Sequence, residues 1–138
     1  ISLDVAASLH LDAVRISRTP LFTAFAGMGQ LIGRLGLFTL SELSLWKAKR
    51  RHFRVPDHFE GIVAGEAVHE GHFLHILKDL RPGTTEVMMH PGTDNEKLIP
   101  ACDWEHDFEA EMQAIVSPKV RRMIADKAVK VVNYRDLK

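Results

Sequence analysis

The sequence predicts an α/β fold in which parallel strands alternate with helices. Short β-favouring runs at about 12–17, 55–62, 84–90 and 129–134 are separated by stretches of helical length and pattern. No hairpin signal joins two of these runs, which favours crossover connections and a parallel arrangement. The run Thr84–Met89 also stops on His90-Pro91-Gly92. Pro91 holds His90 out of the α region and Gly92 frees the backbone to turn. An imidazole is thereby expected at the carboxyl end of a strand, where ligands and catalytic groups collect in α/β folds.

Taken in order, Ser2–His10 reads as a helix with Leu3, Val5, Ala6, Ala7 and Leu9 as its apolar positions and Ser2 or Asp4 as its cap. A short strand, Ala13-Val14-Arg15-Ile16-Ser17, follows. Pro20 suits the first turn of a helix that runs to about Gly36. Thr39 or Ser41 is expected to cap a second helix to about His52. Val55–Ile62 is extended. Ala67–Leu80 is an amphipathic helix with Val68, Phe73, Leu74, Leu77 and Leu80 inward. After the 84–90 strand, Gly92–Asp103 reads as a loop and Trp104–Ile115 as a helix. Ser117 caps a shorter helix that starts at Pro118. Val129–Tyr134 is the last predicted strand.

The chain has 138 residues, 46% of them hydrophobic, enough for one core and one domain over residues 1–138. Eighteen acidic residues balance eighteen basic ones, so no global field favours nucleic acid or an acidic membrane. The apolar stretch Leu21–Leu45 is interrupted by Gln30, Arg34 and Glu42 and is a poor membrane span. No signal peptide is visible, and the lone Cys102 excludes an internal disulfide and a cysteine-rich metal site. A cytoplasmic location is the expectation.

Several groups are candidates for chemistry. Arg15 lies within an apolar run, so it must either pair with a carboxylate or face an anionic or hydroxyl-rich ligand. Lys47, Lys49, Arg50, Arg51 and Arg54 complement a helix carboxyl end and read mainly as a solvated face, with anion binding as the alternative. His69, His72 and His75 recur every third residue, which turns them around a helix instead of stacking them. His69-Glu70-Gly71-His72 is one residue short of the zinc-protease spacing, and a polar helix edge is the better account. His10, His52 and His106 have no convergent partner in sequence. Asp57 and His58 sit at the end of a predicted strand, as His90 does, so Asp57, His58, Glu60 and His90 could converge at one face. A carboxylate beside an imidazole fixes its tautomer and suits it to general acid work.

Three segments occur together in one order: Pro56-Asp57-His58-Phe59-Glu60-Gly61, Thr85-Glu86-Val87-Met88-Met89-His90-Pro91-Gly92 and Val132-Asn133-Tyr134-Arg135-Asp136-Leu137. With the Ala13-Val14-Arg15-Ile16 strand, they resemble the YdjC-like (ChbG) carbohydrate deacetylases. The resemblance implies part of a distorted (β/α) barrel. It also implies metal-dependent hydrolysis of an N-acetyl group on a small amino-sugar oligosaccharide, such as a chitooligosaccharide, using a divalent metal, Mg or Zn. In that scheme His90 protonates the leaving amine or holds the oxyanion, and Asp57 orients it or contacts sugar. Arg15, His58 and Glu60 line the substrate pocket.

The family's metal ligands belong to an Ala-Asp-Asp-Phe-Gly strand, a Gly-x-His strand and a His-rich stretch, none of which occurs in these 138 residues. The chain is therefore expected to match the carboxyl-terminal half of the barrel and to hold no metal ligand of its own. It is expected to be inactive alone and to associate with a second copy or the missing half. A non-catalytic carbohydrate-binding or remnant domain is the alternative.

Overall fold

The computed structural model describes residues 2–17, 28–61 and 67–137. Its order is α1 (Ser2–Ser8), α2 (Met28–Arg50), β1 (His58–Glu60), α3 (Glu70–Lys78), β2 (Thr85–Val87), α4 (Asn95–Cys102), α5 (Phe108–Val116) and α6 (Pro118–Asp126), ending in a 3₁₀ turn at Tyr134–Asp136. β1 and β2 pair in a small parallel sheet. The fold is α/β as expected, with short strands. The chain divides into two compact units: Ile1–Phe59 with Gly83–Glu86 and Val132–Lys138, and Glu60–Pro82 with Val87–Val131.

In the first unit, Ala6 of α1, Ala48 of α2 and Phe53 form a buried cluster against which Leu3, Val14, Ile16 and Val55 pack. Both helices stop by the same device. The N–H of Leu11 returns to Ala6 O and that of Phe53 to Ala48 O, while His10 and His52 take φ of 53° and 59°. This is the left-handed helix ending usually given to glycine. At α2 the residue after the turn, Phe53, lands on Ala48 and joins the ending to the core.

The two helices expected before and after residue 36 are one: α2 runs unbroken from Met28 to Arg50. The start expected at Pro20 lies outside the described residues. The hydroxyls read as caps are occupied otherwise. Thr39 donates to Gly36 O at 2.9 Å and Ser41 to Ser17 O at 2.8 Å. A Ser or Thr that bonds back to the preceding turn leaves the helix intact.

The first predicted strand shrinks to a single parallel bridge between Ala13 and Arg54, with Val14 N to Arg54 O at 3.0 Å and Arg54 N to Asp12 O at 2.8 Å. The last predicted strand is not one. Val131 is 76% exposed, and the chain there closes in a 3₁₀ turn fixed by reciprocal Asn133 and Asp136 bonds. β-branched residues favour a strand only where a partner edge is available.

In the second unit, α3, α5 and α6 pack together around Val68, Leu77, Ala114 and Val120, with α4 against α5. Ser117 caps α6 by accepting from Lys119 N and Val120 N, as its place before Pro118 predicts. The loop expected over 92–103 contains α4. Pro100 reads as a breaker, but the helix holds it near its end, and Asp94 caps the start by accepting Lys97 N at 3.1 Å. Past β1, Gly61 has φ +94°, and a side chain there would meet the Met88 main chain.

Candidate functional site

β2 ends at Val87, three residues before His90, so the imidazole lies beyond the strand end and not on it. The main chain is led out by Met88 N bonding Glu60 O at 3.0 Å and is caught again at Gly92, whose N–H donates to Phe108 O at 2.9 Å. A Cβ on Gly92 would come within 2.9 Å of Phe108 Cβ, so only glycine allows this approach. The turn delivers His90 to the amino end of α5.

That end is fixed from two sides. Asp107 caps α5 by accepting Ala110 N at 2.9 Å and takes the Asn95 side-chain amide at 2.8 Å. The Asn95 hydrogen bond, then the Ala110 N–H, hold the Asp107 carboxyl below its ordinary value. Asn95 and Glu109 also exchange main-chain to side-chain bonds at 3.1 and 3.2 Å. The segment from Asp103 to Asp107 is thereby stretched between α4 and α5.

Within it the rings converge. Trp104 stacks on His106 with centroids 4.2 Å apart. His90 meets both edge-on, at 5.0 Å from Trp104 and 5.5 Å from His106. Beneath them lies Glu111 of α5, 1% exposed. One of its oxygens accepts Val68 N at 2.9 Å and the other accepts His90 N. The first oxygen also lies 3.2 Å from His106 Nε2, yet that nitrogen has no hydrogen bond, the contact being off the N–H direction. His90 itself is partly exposed. The result is an imidazole on a main chain locked from below, with its ring open to solvent.

Glu111 and His106 were not among the residues expected to act. His106, read as having no convergent partner, has two, because the Gly92 turn and α4 fold the chain back onto α5. A signal for Glu111 was present: buried Phe108, Glu111 and Ala114 recur every third residue, so a carboxylate interrupts the inward stripe of α5.

The remaining predicted residues have partners of their own. Arg15 pairs with Glu86, and Tyr134 Oη donates to the other Glu86 oxygen. This is the carboxylate-holding alternative for Arg15, whose side chain remains 52% exposed while that of Glu86 is 11% exposed. The Glu86 hydrogen bond raises the Arg15 pKa further, and burial pushes the Tyr134 hydroxyl up to about 12. Asp57 accepts Thr84 N at 2.8 Å, and His58 N donates to Thr84 O at 2.9 Å, an arrangement that locks the start of β1. Glu60 faces Arg81 at 3.7 Å. The basic cluster is dispersed: Arg51 pairs with Asp4, Arg54 caps the Leu137 carbonyl, and Arg50 lies over the Trp46 ring. His69 caps α3 by accepting His72 N at 3.3 Å, and His75 approaches Asp79, consistent with a polar helix edge.

A family model described as YdjC-like protein matches residues 1–126. The chain belongs to the YdjC-like family. Among curated proteins, a carbohydrate deacetylase of Thermoanaerobacter pseudethanolicus is 29% identical over 82 residues, 59% of this chain and 33% of that protein. The matched part of this YdjC-like chain thus spans about a third of the length of its relative. No solved structure matches. Among the described residues no helix is long and apolar enough to cross a membrane.

The divalent metal that the family resemblance implies does not fit the donors it would need here. Its Asp-Asp, Gly-x-His and His-rich motifs are absent from these 138 residues.

Proposed function

We propose that this YdjC-like chain contributes the acid side of a carbohydrate deacetylase that hydrolyses N-acetyl groups on a small amino-sugar oligosaccharide of the chitooligosaccharide type. The observation that carries the reading is His90, a partly exposed imidazole whose main chain is clamped by buried Glu111. Amide hydrolysis adds water to the acetyl carbon, breaks the C–N bond and requires a proton at the departing nitrogen. A protonated His90 ring supplies it, leaving free amine and acetate, and a fixed main chain limits the positions the ring must search. A divalent metal, when bound by the protein carrying this chain, supplies carbonyl polarisation and water activation.

Asp57, Arg15, His58 and Glu60 are assigned to contacts with sugar hydroxyls. Half-exposed Arg15 retains N–H groups beyond those on Glu86 for such contacts. The exposed Leu40, Leu43 and Trp46 of α2 fit association with a second copy or with further chain of the same barrel.

The test is acetate release from diacetylchitobiose by the protein carrying this chain. His90→Ala is expected to lower kcat by about 10²–10⁴, the usual contribution of a positioned acid. An unchanged kcat would remove His90 from the mechanism. Sugar binding with no acetate release by the unaltered protein would assign the chain to the non-catalytic alternative.

A further inference from the structure

We propose that His90, His106 and Glu111 form a binding site for one transition-metal ion of the zinc class, distinct from the metal the family resemblance implies. Their ligand atoms all lie within 4.8 Å of one another, the one such group of three among the described residues. His106 is left with an unsatisfied nitrogen. Its Nε2 is buried without a hydrogen bond, although a carboxylate oxygen lies only 3.2 Å away. A donor and acceptor meant for each other would align at that distance. Two atoms sharing a metal need not: ligands about 2.0–2.2 Å from zinc at a tetrahedral angle stand roughly 3.3–3.5 Å apart. The His106–Glu111 spacing is close to that edge.

Charge points the same way. Glu111 is almost wholly buried, and among the described residues it has no Lys or Arg partner; its contacts are two main-chain amides and His106. Isolated buried carboxylates are costly, and a cation removes the cost. Each oxygen already accepts one N–H, and each has a second lone pair left for an ion. Two imidazoles and a carboxylate select zinc, cobalt, nickel or copper over magnesium and calcium. Trp104 stacked on His106 keeps that ring in place. The partly exposed His90 ring can swing the remaining distance, and its open side is the entry path. An ion here takes the lone pair of His90, so under the function proposed above it opposes proton transfer. Binding itself is independent of that reading.

The test is titration of the protein carrying this chain, stripped of metal, with Co²⁺ followed by visible absorption and with Zn²⁺ by calorimetry. One equivalent of histidine-ligated, four- or five-coordinate cobalt that depends on His90 and His106 is expected, beyond any held at the centre the family resemblance implies. His90→Ala and His106→Phe should each remove that equivalent or weaken it at least about tenfold. His69→Ala, on α3, should leave it intact. If His106→Phe fails to fold, His106→Gln and His90→Ala, at a partly exposed ring, decide. No cobalt absorption at millimolar metal, or binding indifferent to both His90 and His106 substitutions, overturns the site.

Discussion

Glu111 accepts the main-chain N–H of His90 with one carboxylate oxygen and that of Val68 with the other. These three residues belong to α5, to the exit from β2 and to the approach to α3. A single buried side chain therefore satisfies two amides that no strand or helix ladder serves. Buried main-chain donors must be paired, and a carboxylate is the strongest neutral-pH acceptor available. The same two bonds fix where the His90-Pro91-Gly92 turn begins, and hence where its imidazole stands.

Glu111→Ala should thus cost far more than the loss of a surface carboxylate. It strands a buried and a part-buried N–H group at about 1–3 kcal/mol each, for roughly 2–6 kcal/mol in total. Glu111→Gln retains one good acceptor and should cost about half as much. Urea unfolding of the two variants measures this. A loss under about 0.5 kcal/mol for the alanine variant would mean that the amides find other partners.

Much of the local structure was legible in the sequence. Ser117-Pro118 announced α6, and the Arg81-Pro82-Gly83 punctuation preceded β2 by one residue. What was hidden depends on partners distant in sequence. Among the described residues, Val129–Tyr134 carries strand propensity with no edge to join, and 12–17 finds only Arg54. Thr39 and Ser41 have cap chemistry, but their hydroxyls bond back within α2 or across to Ser17. His90 was visible through its Pro-Gly context. Its clamp was not: Glu111 interrupts the apolar stripe of α5, but which main-chain amides it holds is set only once α5 is folded against α3. The family resemblance identified the chain from short motifs, whereas the ring cluster around His106 needed coordinates.

Gly61→Ala tests the other end of the same main-chain path. At φ +94° any side chain is strained, and the new Cβ would collide with the Met88 carbonyl oxygen and stand 2.9 Å from Met88 N. Relief requires breaking the Met88 N to Glu60 O bond that leads the chain out of β2. The expected loss is about 2–4 kcal/mol, combining left-handed strain with a displaced hydrogen bond. Thermal unfolding gives the value, and a variant as stable as the parent chain would mean that the path adjusts at no cost.

Tyr134 offers a titration that needs no variant to assign, because it is the chain's one tyrosine. Burial, then its hydrogen bond to Glu86, raises the hydroxyl from about 10 to about 12. The folded state therefore keeps a proton that the unfolded chain has released between those two values. Stability from this group is fully present below about pH 10 and falls as pH rises toward 12. In the 138-residue chain, phenolate absorbance should show one transition centred near 12 while circular dichroism reports an intact fold. Glu86→Gln removes the carboxylate that opposes the phenolate, so its transition should move down toward 10. A parent midpoint near 10 with the fold intact would contradict the burial of Tyr134 against Glu86.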